Sequence, residues 1–184
     1  MDDSLIIPVS YLLMKKTAKG LSVFANRKFK AGDYIIEFHG KKYTMDEYKR
    51  KLNPKNNHFL QISDNLFLGP TRTPDNYINH SCNPNSGIKI VDGCVLLFAI
   101  KSIKKGEEIT FDYSTTMAED YWEMNCRCGS KNCRGQIKDF KYLPYDLQQR
   151  YISLGIVPDF VIKSTLYLQV YNSPVAELQV SQSI

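Results

Sequence analysis

No stretch of this 184-residue sequence approaches the roughly 20 consecutive apolar residues that a membrane-spanning helix needs, so a membrane role is not expected. The opening MDDSLIIPVSYLLMKK carries two acids where a secretory signal has bases, and Pro8 breaks its short apolar part. An intracellular protein is the expectation. There is no internal repeat and no low-complexity segment, which excludes solenoids and disordered linkers. There is also no long basic run and no basic amphipathic helix. The net charge of +5 comes from scattered doublets such as Lys15-Lys16, Lys41-Lys42 and Lys104-Lys105. That reads as a solvated, lysine-rich surface, and direct nucleic-acid binding is not expected. An even cysteine count is missing as well: five cysteines in a reducing compartment argue against a disulfide framework.

What is present suits a single domain with a C-terminal extension, 43% hydrophobic and 23% charged. GLSVFANRKF and DYIIEFHG read as short strands around the turn KAGD, where Gly32 gives the backbone freedom. TMDEYKRKL reads as a short helix opened by a capping box of Thr44 and Glu47. HFLQIS and LFLG flank a hairpin turn at Asp64-Asn65. SGIKIVDGCVLLFAI holds two strands around Asp92-Gly93, the strongest hairpin signal in the chain. KKGEEITFDY is a turn and a further strand. Thr116 and Glu119 repeat the capping-box spacing and predict a short helix over MAEDYWEM. Pro144 opens a helix PYDLQQRYISLG that Gly155 can close. Beyond Ile156 the pattern suggests a strand and then a polar tail. The sum is a mainly β domain with short helices.

Three cysteines in CRCGSKNC, Cys126, Cys128 and Cys133, have the close spacing of a metal site. Short spacers let one loop wrap several corners of a thiolate tetrahedron, and Gly129 eases the turn between ligands. Three ligands are one short, and free thiols are the competing reading. Cys94 lies in the apolar run GCVLLFAI and reads as a small buried hydrophobe. Cys82 lies in NHSCNPN, a loop-forming segment of the kind that carries sites, and is the preferred fourth ligand; His80 and His58 are further candidates. A Cys82 that ligates zinc is not available as a nucleophile with His80 as its base.

In order along the chain stand a G-x-x-V-x-A strand, N-H-S-C-x-P-N, G-E-E-I-T-F-D-Y and C-x-C-x4-C-R-G. This series resembles the SET-domain protein lysine methyltransferases with a post-SET zinc loop, over about residues 17 to 140, and the stretch from Asp112 to Pro144 looks especially like small stand-alone bacterial members. The resemblance implies a β-clip-like fold of small sheets with a knot-like crossing and a C-terminal zinc-binding loop. It divides the chain into an N-terminal segment (1–16), the SET domain (17–115), the post-SET segment (116–140) and a C-terminal helix and tail (141–184).

The resemblance also implies S-adenosylmethionine as cofactor, Zn2+ as a structural metal and a lysine-containing protein, such as a histone or histone-like protein, as substrate. Cys82, Cys126, Cys128 and Cys133 match the zinc ligands. Lys19, Gly20 and Leu21 match the motif that borders the methionine end of the cofactor, and Asn79 and His80 the pair that bonds it near the adenine. Trp122 and Arg127 are expected to close over the adenine from the post-SET side. Tyr113 matches the catalytic tyrosine. Phe111 matches the position at which phenylalanine in place of tyrosine makes room for di- and trimethylation. Phe59 and Tyr77 are expected along the substrate channel. The sequence departs from the family where an arginine usually precedes that stretch, since Asn76 stands before Tyr77. A second channel tyrosine is also missing: His58 and Phe59 stand where it would be. Two other readings follow from the same residues, namely a zinc-stabilised binding module without catalysis and a SET-like protein that has lost activity.

Overall fold

The computed structural model describes residues 10–53 and 57–171. The polar C-terminal tail expected from the sequence lies outside them. From the N-terminal side, β1 (Leu12–Thr17) and β2 (Gly20–Ala25) form an antiparallel hairpin closed by Ala18-Lys19. Then come β3 (Tyr34–Phe38), β4 (Lys42–Thr44), α1 (Met45–Lys51), β5 (Leu60–Ser63), β6 (Leu66–Leu68), a 3-10 turn at Pro74–Tyr77 and β7 (Asn79–His80). β8 (Ser86–Val91) and β9 (Cys94–Ala99) precede β10 (Thr110–Phe111) and a second 3-10 turn at Tyr113–Thr116. β11 (Met124–Asn125), β12 (Gln136–Ile137), a 3-10 turn at Phe140–Tyr142, α2 (Tyr145–Ser153) and α3 (Asp159–Tyr171) complete the chain. The expected mainly β architecture with small sheets is present.

The hairpins form where the turn chemistry demands. Asp92 and Gly93 both take positive φ, 50° and 80°, which the right-handed twist of the antiparallel pair β8–β9 requires. β9 pairs with β3 on its other edge, giving the sheet order β3-β9-β8, while β4-β6-β5 makes a second sheet. α1 carries the expected capping box: Thr44 accepts from the Glu47 backbone N–H, and the Glu47 carboxylate accepts from that of Thr44. One apolar cluster, including Val23, Phe29, Ile35, Ile88, Leu97 and Ile109, lies under these sheets.

The topological centre is short. β7 and β10 run parallel, Asn79 opposite Thr110 and His80 opposite Phe111, with the β8–β9 hairpin as the crossover between them. The stretch leading into β10 also bonds to β2, through Ala25 N to Glu107 O and Ile109 N to Val23 O. Thr110 in turn receives bonds from Asn85 N and Ser86 Oγ. The segment ending in Phe111 is thus held to both the N-terminal hairpin and the Asn79–Ser86 loop.

Four expectations need correction. Leu12–Thr17 is a strand paired along its length with β2, so a boundary at residue 16 falls inside β1; only Leu12 is buried there, and the sequence pattern is correspondingly faint. MAEDYWEM is not a helix. Thr116 turns its hydroxyl back to the Tyr113 carbonyl, the Glu119 carboxylate takes the Tyr48 hydroxyl and the Trp122 N–H, and Asp120 has φ of 53°. Tertiary partners have taken the capping pair. The strand expected beyond Ile156 is the helix α3, because Val161 and Thr165, four residues apart, bury one face beside Phe140. Cys94 is exposed at the start of β9 rather than buried.

The C-terminal helices form a second apolar cluster of Phe140, Leu143, Tyr151, Ile156, Val157 and Val161. It seats directly on β8: a Cβ at Gly87 would lie 2.6 Å from Ile156 Cβ, so only glycine permits this approach.

Candidate functional site: an aromatic cavity beside a cysteine cluster

Tyr113 leaves β10 at the first residue of a 3-10 turn whose cap is Asp112, the carboxylate of which accepts from Ser114 N–H. That turn aims the phenol ring into a cavity of about 90 Å³. The ring packs against Phe111 (centroids 4.8 Å apart) and His80 (5.3 Å), and its hydroxyl donates to the Ile78 carbonyl at 3.0 Å. Burial raises its pKa above the usual phenol range, so it stays a neutral hydroxyl with lone pairs free to accept. Phe111 is buried between Tyr113 and Phe38. Phe59 also lines the cavity, and so does Trp122, which the family resemblance sets on the cofactor side instead. Tyr77 does not; it packs on the main core with its ring edge toward His58. A tyrosine from another element also reaches the cavity. Tyr48, the only buried residue of α1, lines the same cavity and stacks on Phe67 at 4.1 Å.

The cofactor-side residues meet on the neighbouring face. Asn79 Nδ2 lies 2.8 Å from Ser22 Oγ, 2.9 Å from Glu108 Oε1 and 3.4 Å from the Leu21 carbonyl. Lys19 Nζ bonds the other oxygen of Glu108 at 3.1 Å. Gly20 has φ of 102°, and a Cβ there would meet nothing within 4 Å, so this backbone faces open space. Leu21 is exposed. Sequence reasoning missed Glu108 and Ser22, which tie the residue 19–21 loop to β7; Glu108 sits in the quoted GEEITFDY motif, and its pairing is a long-range fact. Arg127, between two cysteines, is exposed.

The cysteines converge. The ligand atoms of His80, Cys82, Cys126 and Cys128 lie within 4.8 Å of one another. Cys82 Sγ and Cys126 Sγ are 3.8 Å apart, close to the edge of about 3.8 Å that a zinc–sulfur tetrahedron with bonds of about 2.3 Å requires. Cys133 falls outside that set of four, but its thiol acts on the Cys126 sulfur and points to the Cys126 carbonyl at 3.6 Å. Cys126 is therefore the residue that the other three cysteines approach.

His80 has a different part. Its Nδ1 accepts the Tyr113 backbone N–H at 3.2 Å, and burial, partly opposed by Asp112, lowers its pKa to about 4. A neutral ring with Nδ1 accepting carries its proton on Nε2, which lies 3.3 Å from Cys82 Sγ. His80 thus donates to the sulfur, and both ring nitrogens are engaged. Further donors surround the thiols: Arg134 N–H reaches Cys82 Sγ at 3.4 Å, and Ser130 Oγ is 3.1 Å from Cys128 Sγ. Burial works against ionisation of Cys128, but the Ser130 hydroxyl and neighbouring backbone bonds lower its pKa to about 6. A donor set of soft thiolates with outer hydrogen bonds fits zinc.

Arg134 was also missed by sequence reasoning. Its guanidinium forms a bidentate pair with Asp112, at 2.7 and 2.8 Å, and reaches Ser114 Oγ. Tyr151 of α2 donates to the same carboxylate at 3.0 Å. The residue after the last cysteine is thereby bonded to the residue before Tyr113.

The sequence profile of the SET domain matches residues 20–114, which is more than half of the chain. The chain belongs to the SET-domain family. Among similar proteins, histone-lysine N-methyltransferase ash1 of Drosophila melanogaster is 32% identical over 130 residues, covering 65% of this chain and 6% of that protein. Histone-lysine N-methyltransferase ASHH3 of Arabidopsis thaliana is 33% identical over 130 residues, covering 64% of this chain and 35% of that protein. A variant-silencing SET domain-containing protein of Plasmodium falciparum is 34% identical over 142 residues, covering 68% of this chain and 6% of that protein. The chain therefore spans a small part of these much longer relatives. It is a SET domain homologous to histone-lysine methyltransferases, with a cysteine cluster suited to zinc. Among the described residues no helix is long and apolar enough to cross a membrane.

Proposed function

We propose that this SET domain is an S-adenosylmethionine-dependent protein-lysine N-methyltransferase, acting inside the cell on a lysine of a basic protein such as a histone or histone-like protein. The observation that carries the reading is Tyr113: a neutral phenol held by Ile78 and packed at a tilt against Phe111, at the wall of an aromatic cavity beside the Asn79–Glu108–Lys19 cluster.

S-adenosylmethionine, when bound, supplies an electrophilic methyl group. The bare backbone of Lys19, Gly20 and Leu21 would border its amino-acid end, with Asn79 and His80 near the adenine and Trp122 and Arg127 on the closing side. The residues fit: Gly20 leaves that backbone uncovered, and the Asn79 carboxamide is fixed by Glu108 and Ser22. Tyr113 would receive the substrate nitrogen on its oxygen lone pairs and aim it in line with the methyl. A lysine in water is neutral in only about one molecule in a few thousand at pH 7, and an aromatic, poorly hydrated cavity favours the neutral form. With Phe111 in place of a second hydroxyl, the cavity has room for an amine that already carries methyl groups. Zinc held by Cys82, Cys126, Cys128 and Cys133 would pin the segment bearing Trp122 against Tyr113, with His80 steadying the Cys82 thiolate.

The test has two stages. Calorimetry should register binding of S-adenosylmethionine, and labelled methyl should then pass to lysine in a histone mixture. Tyr113→Phe should cut transfer by about 10²–10³-fold, the scale for removing one positioned polar group, while cofactor affinity stays unchanged and the melting temperature falls only by what losing the single bond to Ile78 costs. Cofactor binding without methyl transfer by the unmodified protein, across basic protein substrates, would count against the enzyme reading and favour a SET-like binding module.

A further inference from the structure

Among the described residues only two buried side-chain polar atoms lack a hydrogen-bond partner, Asp75 Oδ1 and Glu119 Oε2. Both residues line the aromatic cavity that holds Tyr113. An orphaned buried carboxylate oxygen is costly, and in a binding site it points to a donor that arrives with the ligand. Each acid is already fixed through its other oxygen. Asp75 Oδ2 accepts the His39 N–H at 3.1 Å, while Glu119 Oε1 accepts the Tyr48 hydroxyl and the Trp122 N–H, each at 3.2 Å. The free oxygens are therefore held in place rather than collapsed onto the protein.

The rest of the wall restricts what the donor can be. Tyr48, Phe59, Phe67, Phe111, Tyr113 and Trp122 suit an aliphatic stem, and two acid oxygens without donors call for a cationic nitrogen at its end. A lysine side chain, entering as its ammonium ion, has both parts. Resting on the methyltransferase reading above, we propose that Glu119 is the proton acceptor for the target lysine: Oε2 receives one ammonium N–H, with Asp75 as the second acceptor, and takes that proton. The N–H bond breaks, an O–H bond forms on Glu119, and the nitrogen keeps the electron pair. That pair then bonds the methyl carbon while the sulfur retains the electrons of the broken carbon–sulfur bond, and Glu119 returns its proton to water as the product leaves.

The surroundings of Glu119 suit this exchange. Burial first, and then the charge of Asp139 beside it, raises its carboxyl pKa to about 7, against the opposing effects of the Trp122 N–H, the Tyr48 hydroxyl and Lys49 on α1. A group that gains and loses a proton near neutral pH is matched to the task.

The pH dependence of kcat/KM separates this from a structural role. With Glu119 in place, kcat/KM should fall about tenfold per pH unit below about 7 and be flat from there to about 10, because carboxylate plus ammonium is the productive pair. In Glu119→Gln the amine must lose its proton before binding, so kcat/KM should rise tenfold per unit up to about pH 10. The variant should be about a hundredfold slower at pH 8 and near parity at pH 10. Tyr48→Phe, which keeps the stacked ring and removes one bond to the carboxylate, should move the acid limb upward. A second readout needs no turnover: carboxyl-labelled protein titrated with n-butylammonium should shift the Glu119 resonance, and n-butanol should not. A flat profile shared by Glu119→Gln, a variant uniformly slow at every pH, or a Glu119 signal indifferent to n-butylammonium would each overturn the assignment. The first two leave the methyltransferase reading intact. Failure of that reading is recognised separately, by the absence of methyl transfer from the unmodified protein at any pH.

Discussion

A single oxygen atom separates Phe111 from tyrosine, and the space it would occupy bears on product. Phe111 is 4% exposed, meets Phe38 and Tyr113 ring to ring and lines the cavity wall. Phe111→Tyr would place a donor in that wall, hold a water or the amine and narrow the cavity. The expected outcome is a shift from di- and trimethyl toward monomethyl lysine, read by mass spectrometry; an unmodified protein that yields only monomethyl lysine, with no change on substitution, would count against the role given to Phe111. Tyr113 and Phe111 were legible in the sequence because the GEEITFDY motif carries both, whereas Phe59 was placed only by its position where a channel tyrosine is missing. Glu119 was legible only as half of a capping box. Its meaning changed because Tyr48, 71 residues earlier, takes its carboxylate.

At the scale of elements, the turn after β10 and the cysteine loop are joined by a buried ion pair as well as by apolar packing. Asp112 is fully buried and receives two bonds from Arg134 and one from Tyr151. Removing one partner of a buried pair leaves an uncompensated charge, a loss of about 3–5 kcal/mol. Arg134→Ala should therefore lower the denaturation midpoint sharply and cut methyl transfer, since Asp112 caps the turn that aims Tyr113. Arg134→Lys should recover only part, because an ammonium cannot reproduce the two-pronged contact. An Arg134→Ala protein with unchanged stability and rate would show that the pair is decorative. The sequence made the strands, α1 and α2 legible, since their caps and turns are local. It misplaced α3 and the expected MAEDYWEM helix, where distant partners, Phe140 in one case and Tyr48 in the other, decide the backbone.

For the whole molecule, zinc would link parts that the chain order keeps far apart. Cys82 and Cys126 are 44 residues apart in sequence and 3.8 Å apart at sulfur. Chelation should therefore lower methyl transfer and the melting temperature together, and Cys82→Ser and Cys128→Ser should resemble each other, each retaining less zinc by elemental analysis. Because both nitrogens of His80 are engaged, His80→Asn should retain zinc better than Cys133→Ser. Cys94→Ser, at an exposed position, should leave metal content and activity unchanged. Loss of metal in Cys94→Ser, or full metal content in Cys82→Ser, would contradict the ligand assignment.

The sequence by itself determined the family, the mainly β character, the capped helix α1, the Asp92-Gly93 hairpin and the residues of the tyrosine and cysteine motifs. These rest on local turn chemistry and on ordered motifs, both of which a linear chain displays. Only the tertiary structure decided which groups share a cavity or a charge. It set Tyr48 and Glu119 beside Tyr113, bonded Arg134 to Asp112, made His80 a donor to Cys82, and folded Gly87 against Ile156. The physical reason is one of range: caps and turns are settled within a few residues, whereas burial of a carboxylate and the partner that compensates it are settled by whatever the fold brings within about 3 Å.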